Sequence, residues 1–599
     1  MISELSIHGA SASDSHGNQL VGEVLPKQGR SRRRFVILLT VLHFALLLYS
    51  AWIHSPNHLE ASLLPSGYLH LKYGRFDVAQ VNTPLSRMAC SLPLFLFEPH
   101  EEWGSLHFNE DGHRPEYPIG EEFIENNLSS VREMFFAGRV VAALFSLIGA
   151  FSVYKIAQHL YGGNSAMLAF VLWCFSPLIL GHGSTIGHDV PGAAMLAFAF
   201  LCYLRMSQSG RLLDVVVFGL ASGFAFLTRT TNAAVIGLWL ICWLIRPAHV
   251  RSLKAATRQS GKMAFVLAIM LFVLNIGYEF SGSLTPLGEF EFRSRALSGR
   301  LADKASGNRF RGTIWQDIPV PLPSDFVRGL DLQQRDFETP PSKSYMCGEW
   351  RARGWWYYYL FAWAIKTPIG FQMTFLIALA TFFHDLRGKA ARQHETLLLG
   401  TACFVFLLAS VKSGFTTHYR YVLPAFPFVA VLSARVWRNS DRPLIARYAC
   451  AGLVGFGIIS SMLVYPHSIA YFNQFVGGPK NGGKYLLHSS CDWGQDIYLL
   501  EDWYHNNRDQ IGKEIYVQCN GKLKPRLLGI SGNSMPRRPS TGSGLTRNME
   551  PVEPGIYAVS VSHLYRENSP YRYVDAMKPI DHVGYSIKIY DVGSKIQRP

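Results

Sequence analysis

Eleven apolar runs, most of roughly 15 to 23 residues, divide this chain of 599 residues. About 20 consecutive apolar residues are what a helix needs to cross the hydrocarbon core of a bilayer. The runs lie near 35–53, 135–157, 165–181, 190–205, 214–228, 232–246, 263–280, 355–383, 397–411, 419–437 and 447–465. They predict an all-α polytopic membrane protein with about eleven transmembrane helices. Composition agrees: 49% of residues are hydrophobic and only 17% are charged, against about 25% charged in a typical soluble domain.

The net charge of +15 would suit either nucleic acid or a membrane surface. The basic residues sit beside the apolar runs, which favours membrane lipids and argues against nucleic acid. With the N-terminus in the cytoplasm, the basic connectors Arg205–Arg211, Arg246–Lys262, His384–Arg392 and Arg435–Arg447 all fall on the cytoplasmic side, as the positive-inside rule requires. Residues 1–34 then form a disordered cytoplasmic tail ending in Arg30-Ser31-Arg32-Arg33-Arg34, and residues 35–465 form the transmembrane core. The outer face receives two large loops, 54–134 and 281–354, and a C-terminal domain, 466–599. Strand-like stretches at Glu514–Gln518, Gly555–Ser562 and Tyr585–Val592 make that domain a small α/β unit. The pair 214–228 and 232–246 is the weakest point, because merging the two would invert every later loop. The nine cysteines form no CxxC pair, so neither a zinc ribbon nor a disulfide scaffold is indicated.

Chemistry is expected on the outer face. Glu60, just past the first run, reads either as a solvated loop residue or as a carboxylate at an aqueous cavity that takes a proton from an acceptor hydroxyl. Asp189 ends the turn Gly181-His182-Gly183-Ser184-Thr185-Ile186-Gly187-His188-Asp189 and either caps the next helix or projects into a site. The His-x5-His-Asp spacing does not itself specify a metal, so a divalent ion is left open. Lys366 stands in an almost uncharged run directly before Thr367-Pro368. An ionisable residue inside a membrane segment is costly and is usually retained for function, although a snorkelling lysine is the plainer reading. Arg229 and Arg420 lie at the mouths of other runs and could join Lys366 in a pocket for a phosphate headgroup. The block Trp355-Trp356-Tyr357-Tyr358-Tyr359 reads as an interfacial belt or as a sugar-stacking surface. The stretch Ser490-Cys491-Asp492-Trp493-Gly494-Gln495-Asp496 suits polar ligand binding, or a turn that docks the tail on the core.

In order along the chain come Asn-Thr-Pro-Leu, Gly-His-x5-His-Asp, Phe-Leu-Thr-Arg, Gly-Glu-x4-Gly-Trp-Trp-Tyr-Tyr, Ile-Lys-Thr-Pro, Tyr-Arg-Tyr-Val-Leu-Pro and Asp-Trp-Gly-Gln-Asp. This ordered set, from about residue 35 to 505, resembles the bacterial branch of the protein O-mannosyltransferase-like enzymes. These are membrane glycosyltransferases of the GT-C class (family thirty-nine and its dolichyl- or undecaprenyl-phosphate relatives). The resemblance implies inverting transfer of a sugar from a polyprenyl-phosphate carrier to a protein or glycolipid acceptor outside the cytoplasm, at the inner membrane. It implies no certain cofactor. The family's acidic pair in the first outer loop falls on Leu59-Glu60, so Leu59 stands where Asp is expected. Asp189 matches the acidic residue of the second outer turn, and Lys366 and Arg420 match basic positions near the lipid phosphate. His188, Glu349, His418, Asp492 and Gln495 lie in the same motifs as expected substrate-binding residues. Two other readings stand beside this one. A catalytically degenerate member that binds lipid-linked sugar is suggested by Leu59. A lipid or solute transporter would want charges across several helices and repeated halves, neither of which is seen.

Overall fold

The computed structural model describes residues 17–107, 114–246, 252–299, 307–340, 342–386, 393–411, 418–438, 444–511, 514–538 and 552–593. Its α-helices of seven or more residues are, among the described residues, α1 (Gly17–Ile53), α2 (His58–Tyr73), α3 (Leu85–Ser91), α4 (Glu116–Asn126), α5 (Val131–Tyr161), α6 (Gly163–Cys174), α7 (Pro177–Gly183), α8 (Asp189–Ser209), α9 (Leu212–Thr228), α10 (Thr231–Leu244), α11 (Leu253–Ile276), α12 (Ser324–Glu338), α13 (Tyr358–Lys366), α14 (Ile369–Leu386), α15 (Gln393–Val411), α16 (Phe426–Ser433), α17 (Leu444–Met462) and α18 (Ile497–Ile511). Residues 1–16 of the expected tail lie outside the described residues, as do parts of the three later basic connectors.

All eleven apolar runs are helical, and the chain is a multi-pass membrane protein. Among the described residues, six helices are long and apolar enough to cross a bilayer by themselves, and two bent pairs raise the number to eight. The bends have local causes. Pro177 starts α7 after a 56° break from α6, and Thr367-Pro368 separates α13 from α14 with a 118° turn. Proline can neither donate to the helix ladder nor let its predecessor stay helical. The run 419–437 is likewise divided, into 3-10 turns around α16, with Pro424 inside the first turn and Pro427 at the start of the helix. Runs 214–228 and 232–246 are distinct helices. Arg229 between them is extended, at φ −154° and ψ 124°, and Asn232 Nδ2 donates to the carbonyls of Ala225 and Gly192 across the break.

The region after α1 is itself largely helical. Asn57 caps α2 through the backbone N–H groups of Leu59 and Glu60, while Glu60 accepts from the Asn57 N–H, a reciprocal capping box. Gly74 ends α2 in the left-handed conformation, φ 61°. The later loop carries α12 and an antiparallel hairpin of β1 (Ser344–Met346) and β2 (Glu349–Arg351).

The three expected tail strands are present, as β3 (Ile515–Gln518), β5 (Gly555–Ser560) and β7 (Ile587–Val592). The short strands β4 (Asn533–Ser534) and β6 (Asp581–Val583) are added to them. The sheet order is β4-β3-β5-β7-β6, parallel across β4-β3-β5 and antiparallel from β5 through β7 to β6. Ile515, Ile556, Ala558 and Ile589 face Ile497, Leu500 and Tyr504 of α18, while Tyr516, Tyr557, Val559 and Tyr590 face the cluster around Leu487 and Tyr565. Burial on both faces explains why strands 555–560 and 587–592 lack clean alternation.

Residues 466–496 are threaded back into the helical core. Asn473 Nδ2 donates to the carbonyls of Ala364 and Thr367 at the α13 break, and the Ser55 N–H donates to the Gln495 carbonyl. This segment carries the sheet domain onto the ends of α1 and α13.

Candidate functional site

Two buried carboxylates organise one end of the helical core. Glu60 is fully buried rather than facing water, because five donors converge on it. Oε1 accepts from Arg139 Nε at 2.8 Å and from the Ile186 N–H at 2.7 Å. Oε2 accepts from the Asn57 N–H and Nδ2 at 3.0 and 2.8 Å and from Arg139 Nη2 at 2.7 Å. Arg139 also donates to the carbonyls of Ala51, His54 and Ser55. It therefore satisfies the acceptors left at the C-terminal end of α1. Glu60 and Arg139 line a small cavity with His54, Ser184 and Gln495.

Asp189 is placed differently. Its two oxygens each accept one guanidinium, Arg229 Nη1 on Oδ1 and Arg420 Nη1 on Oδ2, both at 2.6 Å. All three side chains are buried. The extended Arg229 breaks α9 from α10, and Gly192 lets its stem pass: a Cβ there would meet Arg229 Cβ at 3.0 Å. No capping bond from His188 starts α8. Burial pulls the His188 imidazole down to about 3, so it is neutral, and its Nε2 lies 3.3 Å from Asn82 Nδ2.

From Asp189 a continuous polar network extends in two directions. On one side Asn82, at φ 66°, joins His188 to Arg87, whose Nη2 donates to the Asn82 carbonyl at 3.0 Å. On the other side Arg420 Nε and His418 Nδ1 both meet Ser489 Oγ, at 3.2 and 2.8 Å. The Tyr419 N–H donates to Ser490 Oγ at 3.2 Å, and Lys366 Nζ donates to the carbonyls of Ser490 and Ile469 at 2.5 and 2.7 Å. The Arg420 guanidinium lies 4.6 Å from the Trp493 ring centroid, and Lys366 Nζ lies 4.3 Å from that of Phe472. Such stacking holds a cation without neutralising it.

The balance of charge is one-sided. Arg87, Arg229, Arg420 and Lys366 are four buried basic side chains. Among the described residues the only carboxylate within ion-pair distance of any of them is Asp189, shared by Arg229 and Arg420. Unpaired buried charge is expensive, so a centre of this kind is suited to an anion.

The structure thus brings together Asp189, Arg229, Arg420, Lys366, His188 and His418. Asp492 and Gln495 sit one layer away and hold the turn itself. Asp492 accepts from the N–H groups of Gly494 and Ser562, and Gln495 bonds the Trp493 N–H and the Cys491 carbonyl. These bonds dock the turn on the sheet domain, and burial pushes the Asp492 carboxyl up. Glu349 stands apart, exposed on β2 and paired with Arg351. Of the aromatic block, Trp356 is exposed while Tyr358 and Tyr359 are buried. Sequence reasoning missed Arg139, yet the rule that singled out Lys366 applies to it, a charge within an apolar run. It also missed the second partnership of Asp189, which no spacing encodes.

A metal was expected, if anywhere, at His182 and His188. Among the described residues the side chains grouped closely enough to ligate an ion are instead His54, His467 and Asp496, with one ligand atom of each within 4.8 Å of the others.

Residues 125–276 match the family model described as dolichyl-phosphate-mannose-protein mannosyltransferase. No curated protein sequence matches the chain. Among solved structures, ArnT from Cupriavidus metallidurans in the apo state aligns over 93% of this chain and 98% of its own, at 12% identity and a TM-score of 0.43. The same protein bound to undecaprenyl phosphate aligns over 93% and 97%, at 12% identity and 0.44. The arabinofuranosyltransferase AftD from Mycobacteria aligns over 94% of this chain but 40% of its own, at 14% identity and 0.36.

Proposed function

We propose, from the premise that this chain carries the mannosyltransferase family match over residues 125–276, that it transfers a sugar from a polyprenyl-phosphate carrier to an acceptor hydroxyl on the outer face of the inner membrane. The observation that carries this reading is the convergence of motifs. Asn82, His188-Asp189, Arg229, Lys366, Arg420 and the turn at Ser489-Ser490 come from distant parts of the chain and meet in one cation-rich network.

The network's charge defines its ligand. A lipid phosphate is a good leaving group once its developing charge is neutralised, and preorganised cations do this at no cost in reorganisation. Arg420, Arg229, Arg87 and Lys366 take that role. In an inverting displacement the acceptor oxygen bonds to the anomeric carbon as the bond from that carbon to the phosphate oxygen breaks. The acceptor proton passes to a carboxylate. Of Glu60 and Asp189 we assign this to Asp189. It holds one donor on each oxygen and keeps a lone pair free on each, whereas five donors occupy Glu60. Glu60 then positions α1, α2 and α5. Leu59, where the family pattern has Asp, is partly buried in the apolar cluster beside α2. The N-terminus is cytoplasmic, and the network and the C-terminal domain are extracytoplasmic. The acceptor is a protein or a glycolipid.

The test is a transfer assay with purified protein in detergent, radiolabelled polyprenyl-phosphate sugars and a cell-envelope acceptor extract. Wild type transfers label, and Asp189→Asn does not while remaining monodisperse. Full activity of Asp189→Asn would overturn the site assignment. A wild type that binds donor but transfers nothing would favour the non-catalytic lipid-glycan binder that Leu59 suggests.

A further inference from the structure

Outside this network, three segments far apart in sequence present metal-ligating atoms to one point: His54 just past α1, His467 just past α17, and Asp496 just before α18. His54 Nε2 lies 3.4 Å from His467 Nδ1 and 3.7 Å from Asp496 Oδ1. Ligands held about 2.0–2.2 Å from a tetrahedral zinc lie roughly 3.3–3.6 Å from one another, so these two separations need little adjustment, and the third lies within 4.8 Å.

The surroundings orient each donor as a ligand. His54 Nδ1 is 2.8 Å from the Ser50 carbonyl, which can only accept, so Nδ1 carries the proton and Nε2 presents its lone pair to the cluster. A carbonyl behind the imidazole is the usual support of a metal-bound histidine. Asp496 Oδ2 is held by Ser586 Oγ at 2.5 Å and Gln495 Nε2 at 3.2 Å. Its other oxygen, Oδ1, is buried with no hydrogen-bond partner, although a buried carboxylate oxygen without a donor is costly. The chain around Asp496 is built to this geometry. Gly584 closes the β6–β7 turn at φ 57°, and a Cβ there would lie 2.2–2.4 Å from the Asp496 carboxyl. His467 is half-buried, against the full burial of its two partners, and gives an ion its way in.

We propose that His54 Nε2, His467 Nδ1 and Asp496 Oδ1 bind one divalent transition-metal ion, zinc by the chemistry of the donor set, that ties the C-terminal domain to the ends of α1 and α17. Two imidazoles and one carboxylate suit zinc, whereas magnesium prefers all-oxygen octahedral sites. Three protein ligands leave a fourth position for water. The ion bridges elements that otherwise meet through hydrogen bonds such as those of Ser55 to Gly494, Gln495 and Ile497, so its binding energy adds to the stability of the assembled fold.

The experiment uses full-length protein purified without a polyhistidine tag, equilibrated with zinc or magnesium, desalted, and measured by elemental analysis and thermal unfolding. Wild type is expected to retain one zinc per chain and no magnesium, and to unfold several degrees higher with zinc than after chelation. His467→Ala and Asp496→Asn should lose the zinc and the thermal response while eluting as monodisperse protein. Wild type that retains no zinc, or both variants retaining it at the wild-type ratio, overturns the proposal. Cobalt-loaded wild type gives a reading that needs no variant: strong tetrahedral d–d absorption supports the site, and weak octahedral bands contradict it.

Discussion

Two of the buried carboxylates, Glu60 and Asp189, have the same kind of partner and opposite designs. Glu60 and Arg139 form a closed, neutral pair: one acid, one base, and remaining donors and acceptors turned on backbone groups and the Asn57 side chain. Asp189 divides one charge between two arginines, with Arg87 and Lys366 further along the same network held by carbonyls, an imidazole and an aromatic ring. The first arrangement is complete in itself. The second carries excess positive charge in a dry setting, where charge is felt most strongly. A buried acid in such a core is therefore assigned by what surplus its partners leave, and not by its place in a motif.

Removing half of the closed pair should have the largest effect. Arg139→Ala leaves Glu60 buried without its counter-charge, at a cost of about 3–5 kcal/mol. Loss of monodisperse protein, or a strongly lowered unfolding temperature in detergent, is the expected result. Asp189→Asn removes the counter-charge of Arg229 and Arg420 but keeps the side chain's shape and an acceptor oxygen, so it should cost less stability than Arg139→Ala and lower transfer by about 10²–10⁴-fold, the usual contribution of a positioned acid–base group. If Asp189→Asn unfolds the protein and Arg139→Ala does not, the two centres have been assigned the wrong way round. Arg420→Ala should weaken donor binding by about 1.5–3 kcal/mol, roughly 10- to 150-fold, read as a raised donor KM.

A smaller effect is expected at His58. Burial, with help from Lys522, lowers its imidazole to about 4, below the 6.5 of an unfolded chain. The unfolded state thus takes up a proton first as pH falls. Stability is lost progressively below pH 6.5 until the folded group protonates near 4. His58→Gln should reduce the drop in unfolding temperature between pH 7.5 and pH 5, and an unchanged drop would contradict the assignment. Glu349→Ala should be nearly silent, within about 0.5 kcal/mol, because its one ion pair is exposed and surface pairs contribute little.

Periodicity and run length made the membrane core legible, since all eleven apolar runs are helices. Run length did not reveal where those helices break. The 3-10 turns around α16 and the reversal after Lys366 follow from proline chemistry that was visible, but their angles are set by packing. The strands at 515–518, 555–560 and 587–592 were legible because β-branched and aromatic residues cluster there. The two short partners were not, because β4 is only an exposed Asn533-Ser534 pair. Asp189, Arg229, Lys366 and Arg420 could be named individually because charge in an apolar run is conspicuous. Their meeting, and the closure of Glu60 by Arg139, rests on contacts between residues 40 to 231 positions apart. The grouping of His54, His467 and Asp496 has no local signature at all, since no ligand lies within 28 residues of another.

The most direct measurement is lipid retention by the purified protein. Wild type and the variants Arg420→Ala and Glu349→Ala would be incubated with polyprenyl phosphate, desalted in detergent and examined by native mass spectrometry. Wild type and Glu349→Ala should hold the lipid at equal occupancy, and Arg420→Ala should hold at least tenfold less at the same lipid concentration. Equal occupancy in all three would contradict a phosphate site in the Asp189 network.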